Sequence, residues 1–162
     1  MDKKDLVAQL TAHIVEALKV ARVAMEGAVI EAREGATPAE KREDSRTSQE
    51  NAGLARGHNA RIARLQSELM ALEGFKPGPL PPRARIAVGA LVEVEDGDEG
   101  RTFFLAPSGA GVELTGPGGD GYLSVVTPSS PVGRAVLGRT VGDSLEVVVG
   151  GEPKEWTVTF VG

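Results

Sequence analysis

Cysteine is absent from this chain, which excludes disulfide frameworks, thiol nucleophiles and cysteine-ligated zinc together. Histidine is scarce: His13 and His58 stand 45 residues apart, which argues against a histidine-rich metal motif. Aromatic side chains make up 4% of the residues. No apolar run approaches the roughly 18 residues needed to cross a bilayer. The opening Met1-Asp2-Lys3-Lys4-Asp5 leads into no uninterrupted apolar segment, so no secretory signal is expected and the cytoplasm is the expected setting. Positive charge is also short, with 18 basic against 23 acidic residues and a net charge of −5, which argues against general electrostatic capture of nucleic acid. What remains, 162 residues at 41% hydrophobic and 25% charged, fits one or two small soluble domains.

The composition changes sharply along the chain. Residues 83–162 hold 15 of the 21 glycines, and five of the six aromatics (Phe103, Phe104, Tyr122, Trp156, Phe160). Residues 1–82 carry 12 basic and 12 acidic side chains, whereas residues 83–162 carry 6 and 11, so the second half holds the whole net charge. Between them runs Gly74-Phe75-Lys76-Pro77-Gly78-Pro79-Leu80-Pro81-Pro82. Such a proline run continues no helix and enters no sheet interior, which makes it a stiff, extended linker. The expected organisation is a helical hairpin over 1–74, a linker over 75–82 and a second domain over 83–162.

Residues 4–34 read as one helix, with Leu6, Leu10, Ile14 and Leu18 at i, i+4 spacing and Val7, Ala21, Met25 and Val29 extending the stripe. Gly35 is a stop signal, and Thr37-Pro38-Ala39-Glu40 follows as N-cap, N1 and N3 of a capping box. A second helix then runs to about Leu72, with Leu54, Ile62, Leu65, Leu69 and Leu72 on one face. A short break between long helices makes an antiparallel coiled-coil hairpin, in which Leu18 lies level with Leu54 and Leu10 with Ile62. The other available turn is Asp44-Ser45-Arg46-Thr47, which pairs Met25 with Leu65. In either register the tip is polar. The second half alternates apolar runs with turn residues, the pattern of a small antiparallel sheet. Ser130-Pro131 and Gly138 bracket one short helix, Val132–Leu137. The expected fold class is α+β.

The run Ser130-Pro131-Val132-Gly133-Arg134-Ala135-Val136-Leu137-Gly138, followed by Val141-Gly142-Asp143, resembles the C-terminal domain of the Gre family of bacterial transcript-cleavage factors. Leu123-Ser124-Val125-Val126-Thr127-Pro128 and Val88-Gly89-Ala90 fit the same pattern. The resemblance implies a hairpin followed by an FKBP-like domain with one short helix. It also implies binding to bacterial RNA polymerase, with the C-terminal domain on the rim of the secondary channel and the hairpin inserted toward the active site. On this resemblance Ser129, Ser130, Pro131, Val132, Gly133 and Arg134 are the candidate polymerase-binding residues. The protein is then an accessory factor rather than an enzyme, monomeric and without a cofactor of its own. Any magnesium would be shared with the polymerase, and contact with nascent RNA would be indirect.

The sequence departs from the family pattern at the hairpin tip. Family cleavage factors carry Gly-Asp, two further residues, then Glu-Asn-Ala-Glu-Tyr. Here Ala36 follows Gly35 where the pattern has its aspartate, and Glu50-Asn51-Ala52 comes late in the chain. The candidate tip acids are Glu40, Glu43, Asp44 and Glu50, each with a structural alternative. Glu40 fits the capping box, while Glu43 and Asp44 suit a solvated helix face. Arg33, Arg42 and Arg46 have acidic neighbours as well as a possible phosphate role, and His58 suits a half-buried packing position. Ser130 suits an N-cap, with Val132, Val136 and Leu137 packing on the sheet. The glycines around Asp120 precede no Gly-Lys-Ser/Thr, so they read as a turn. Prolyl isomerase activity is disfavoured because adjacent Phe103 and Phe104 face opposite sides of a strand. The expected role is regulation in the secondary channel, with transcript cleavage as the alternative and a polymerase-independent interaction module as a less favoured reading.

The capping box yields a direct test. Thr37→Ala should cost about 1 kcal/mol of stability in urea unfolding, whereas Ser45→Ala should leave it nearly unchanged.

Overall fold

The structure, a computed structural model, describes residues 2–34, 40–116, 119 and 121–162; for residues 31–34 and 40–51 it is the backbone path that is described. In chain order the elements are helices α1 (Lys3–Glu34) and α2 (Glu40–Leu72), strands β1 (Leu91–Asp96), β2 (Glu99–Leu105), β3 (Glu113–Thr115) and β4 (Tyr122–Val126), helix α3 (Pro131–Val136), and strands β5 (Ser144–Val149) and β6 (Glu152–Val161). They form two compact units, one of Met1–Ala12 with Ala71–Gly162 and one of His13–Met70. Among the described residues no helix is long and apolar enough to cross a membrane.

The second of these units is the helical hairpin. In α1 its buried positions are Ile14, Leu18 and Ala21, continuing the expected stripe, and Met25, Ala28 and Val29 are half-buried beyond them. In α2 the inward positions are Ala55, His58, Ile62, Leu65 and Leu69, at alternating spacings of three and four. This seam excludes Leu54, which is 59% exposed, contrary to its expected place on the apolar face. A repeat of 3.5 residues counted back from Leu65 reaches Ala55 and passes Leu54 by one position. Residues 44–47 lie inside α2, which rules out the Asp44–Thr47 turn. The other turn and its capping residues, Gly35 to Ala39, fall outside the described residues.

The first unit is built on a six-stranded sheet of order β3-β4-β2-β1-β6-β5. It is mixed, not antiparallel as expected, because β2 and β4 run parallel with Phe103 opposite Ser124 and Leu105 opposite Val126. The parallel pair needs a crossover, and the chain between β2 and β4 makes it by laying β3 antiparallel on the outer side of β4. Phe103-Phe104-Leu105 is a continuous buried run because both faces of β2 are covered. On one face Val92, Phe103, Val126, Trp156 and Val158 form the core with Ile86 and Val136. There the Trp156 ring stacks on Phe103 at 5.6 Å with Arg101 above it, and its buried Nε1 makes no hydrogen bond among the described residues. Strand register places Leu91, Phe104, Val125, Leu123 and Leu114 together on the opposite face, and all of them are buried.

The first turns of α1 belong to this unit. Leu6 and Leu10 are 0% exposed, and Leu10 occupies the space beside Gly109, where an added Cβ would come within 2.5 Å of its Cδ1. The amide of Gln9 accepts from Thr115 N–H at 3.0 Å and donates to Thr115 C=O at 3.1 Å, standing in for a further strand on the β3 edge. Asp5 accepts from the same Gln9 nitrogen at 2.9 Å and orients it. Residues 74–82 are strapped down rather than free. Phe75 lies 6.2 Å from the Phe104 ring, Pro77 fits against Gly89, and Leu80 packs on the core. Lys3 Nζ donates to Gly78 C=O at 2.8 Å, and burial pushes its pKa below the ordinary lysine value.

Two sets of glycines give opposite expectations. Gly53 and Gly57 lie inside α2 with open space where a Cβ would be, so Gly53→Ala and Gly57→Ala should each stabilise the chain by about 0.5–1 kcal/mol in thermal or urea unfolding. Gly109 has φ +87 and no room, so Gly109→Ala should destabilise it by about 1–3 kcal/mol in the same assay.

Candidate functional site

The candidate polymerase-binding segment is organised by one hydroxyl. Ser130 has φ −72 and ψ 154, the extended geometry of an N-cap, and its Oγ accepts from Gly133 N–H at 3.2 Å. The same Oγ accepts from Thr127 N–H at 3.1 Å and donates to Thr127 C=O at 2.8 Å. Pro131 takes the first helical turn, where its missing N–H costs nothing. Gly133 is fixed by contact rather than by φ: a Cβ there would meet Thr127 O at 1.7 Å. The turn and α3 therefore interlock backbone against backbone, a separation only glycine allows.

This geometry sorts the candidates. Ser130 and Gly133 are committed to the turn, and Val132 is half-buried on the core. Ser129, Pro131 and Arg134 are exposed, so these three present the segment outward. Ser129 and Thr127 share a hydroxyl contact of 3.2 Å. The helix spans Pro131–Val136, one residue earlier than expected at each end. Leu137 consequently caps it and is 43% exposed instead of packing on the sheet, because the chain turns away at Gly138 with φ +79. Phe103 and Phe104 do face opposite sides, one stacked on Trp156 and the other against Phe75, so their ring faces are taken up by packing.

The tip acids Glu40, Glu43, Asp44 and Glu50 lie on the first turns of α2, and their side chains fall outside the described residues. Glu50 stands ten residues into that helix, about 15 Å along its axis at 1.5 Å per residue. Arg33, Arg42 and Arg46 likewise lie outside the described side chains. Gly119 and Gly121 both have positive φ, as the expected turn requires, while Gly118 and Asp120 lie outside the described residues. His58 is half-buried, as its packing role demands. Among the described residues no three acidic or histidine side chains are placed to hold a metal ion.

Sequence reasoning passed over one grouping. Arg85 and Arg139, 54 residues apart, are brought together by Ile86 N–H to Arg139 C=O at 2.8 Å and Gly138 N–H to Ile86 C=O at 2.8 Å. Nothing in the linear pattern marks this pairing, since neither segment is part of a regular strand.

No family model matches the chain. Among characterised proteins, transcription elongation factor GreA of Ralstonia nicotianae is 31% identical over 141 residues, covering 86% of this chain and 82% of that protein. Transcription elongation factor GreA of Mycobacteroides abscessus is 37% identical over 94 residues, covering 56% of this chain and 52% of that protein. Among solved structures, the GreA factor homolog 1 of Thermus thermophilus aligns over 98% of this chain and 93% of that one, at 21% identity and a TM-score of 0.41. Sustained over most of both chains, the first of these identities shows that the protein belongs to the GreA/GreB family of transcription elongation factors.

Proposed function

We propose that this protein binds bacterial RNA polymerase in the cytoplasm, as a monomer, and regulates elongation from the secondary channel without stimulating transcript cleavage appreciably. On this reading residues 83–162 form the FKBP-like Gre domain that docks at the channel rim, residues 75–82 connect it, and residues 1–74 reach toward the active site. The protein is then an accessory factor, and the polymerase supplies the catalytic machinery.

Family membership supports polymerase binding. The observation that carries the regulatory reading is the helical state of residues 44–47. It leaves Glu50-Asn51-Ala52 well inside α2, so the segment most like the family's acidic motif stands about 15 Å behind the start of that helix. Ala36 has no ligating atom. Sharing a magnesium ion demands carboxylate oxygens about 2.1 Å from the metal on side chains that converge. Glu43 and Asp44 are adjacent on a helix, where neighbours point in different directions. Such acids alter the electrostatics of the channel or obstruct true cleavage factors more readily than they complete a metal site. At the docking end, Ser129, Pro131 and Arg134 are the surface residues of the Ser-Pro segment, while Ser130 and Gly133 hold it in shape.

A backtracked elongation complex incubated with the full chain and magnesium should show no rapid release of short 3′ RNA, together with inhibition of an active cleavage factor in the same reaction. Rapid release that disappears on Glu43→Ala or Asp44→Ala would instead make this a cleavage factor with a displaced tip. In polymerase pull-down, Arg134→Glu should reduce retention several-fold with unchanged thermal stability. Ser130→Ala should cost about 1 kcal/mol of stability, read in urea unfolding, because its hydroxyl serves the cap and the turn.

A further inference from the structure

The net charge of −5 conceals a polarised sheet unit. Glu95 pairs with Thr157, so the β1–β2 and β5–β6 turns lie at the same end of the sheet, where Asp96, Asp98, Glu99 and Glu152 gather. Lys154 bridges to Asp96 at 3.4 Å at that end, and Arg101 lies nearby over the Trp156 ring. Three arginines collect at the other end, where residues 83–86 lead toward β1 beside the segment that leaves α3. Thr140 Oγ1 donates to Arg83 C=O at 3.3 Å, and Arg85 Nη1 donates to Gly138 C=O at 3.3 Å. Arg83, Arg85 and Arg139 are all exposed, and none of them makes an ion pair among the described residues. The acid nearest in sequence, Asp143, already accepts from Thr140 N–H at 3.0 Å.

Two further observations mark this end. Arg83 is the one non-glycine residue with positive φ among the described residues, at 66°. It occupies the third position of a turn closed by Ala84 N–H to Pro81 C=O at 3.0 Å, a position that ordinarily takes glycine. A bulky, charged residue is kept where it strains the backbone. In addition, Val88, Leu137 and Val141, which flank these paired segments in the chain, stand exposed, each more than 40% accessible.

We propose that Arg83, Arg85 and Arg139, set among Val88, Leu137 and Val141, form a docking surface for an amphipathic, carboxylate-rich segment of a partner protein. Guanidinium groups pair bidentately with carboxylates, and arginine is enriched where protein interfaces are built. The interleaved aliphatic side chains give a protein segment something to bury, which a phosphate backbone does not need. The acidic far end repels a long polyanion while orienting the unit toward a compact acidic surface. Resting on the proposed function, the partner segment belongs to RNA polymerase, and this surface extends the contact beyond the Ser-Pro segment.

Two binding measurements on the full chain separate the surface from the functional reading. The first is affinity for core RNA polymerase across a salt series. The second is anisotropy with a labelled 18-residue helical peptide of glutamate and leucine, alongside a 20-nucleotide RNA. Arg85→Glu/Arg139→Glu should weaken polymerase and peptide binding at least tenfold and flatten the salt dependence. Asp98→Lys/Glu99→Lys at the far end should not weaken either. Arg83→Gly should raise the melting temperature while lowering affinity several-fold, a combination that misfolding does not produce. If polymerase binds and the arginine variants bind equally well, the surface is refuted and the functional reading stands. If polymerase fails to bind the wild-type chain but the peptide effects hold, the functional reading falls and the surface stands. Failure of the arginine variants to weaken peptide binding, or RNA binding stronger than peptide binding and lost in the same variants, overturns the proposal.

Discussion

The sheet depends on a side chain that none of its own strands supplies. Leu10 of the first helix fills the space beside Gly109, and one residue earlier Gln9 satisfies both backbone groups of Thr115. Buried apolar area stabilises at about 25 cal/mol per Å², and a fully buried leucine contributes roughly 2 kcal/mol. Leu6 and Leu10 together therefore supply a substantial part of a small unit's margin. The bidentate amide also prevents β3 from ending in unpaired groups. The strap of residues 74–82 follows the same logic from the other terminus of the hairpin, through Phe75, Pro77 and Leu80.

Around α3, architecture and recognition divide between neighbours. Ser130 spends its hydroxyl on three backbone contacts, and Gly133 gives up its side chain so that the helix can touch Thr127. Ser129, Pro131 and Arg134 are left free to face outward by that arrangement. A motif recognisable in sequence is thus a mixture: some of its letters are spelled by packing, and the rest by what the surface must meet.

The helices were legible because leucines at i, i+4 leave little alternative. The N-cap at Ser130 was legible for an equally local reason. Leu54 was misplaced because i, i+4 counting ignores the 3.5-residue drift that a two-helix seam imposes over several turns. The parallel pairing of β2 with β4 was hidden, since strand periodicity reveals which face is buried but not which neighbour is chosen. Gln9 as an edge cap and the meeting of Arg85 with Arg139 were equally invisible. Both join residues distant in sequence through backbone groups, and backbone groups carry no sequence signature.

Gln9 at Thr115 has a consequence for how such a chain is dissected. The proline run looks like the natural place to cut, yet a fragment beginning at Arg83 loses Gln9, Leu10 and Phe75 together. Its β3 edge then offers an unanswered donor and acceptor, beside a face bearing Phe104, Leu91 and Leu123 that has lost its nearest cover. An open edge flanked by bare hydrocarbon recruits strands from other copies, so the fragment invites polymerisation rather than independence. Evolution faces the same restriction as the bench: hairpins can be exchanged between relatives only if the exchange is spliced inside the helices, downstream of Leu10.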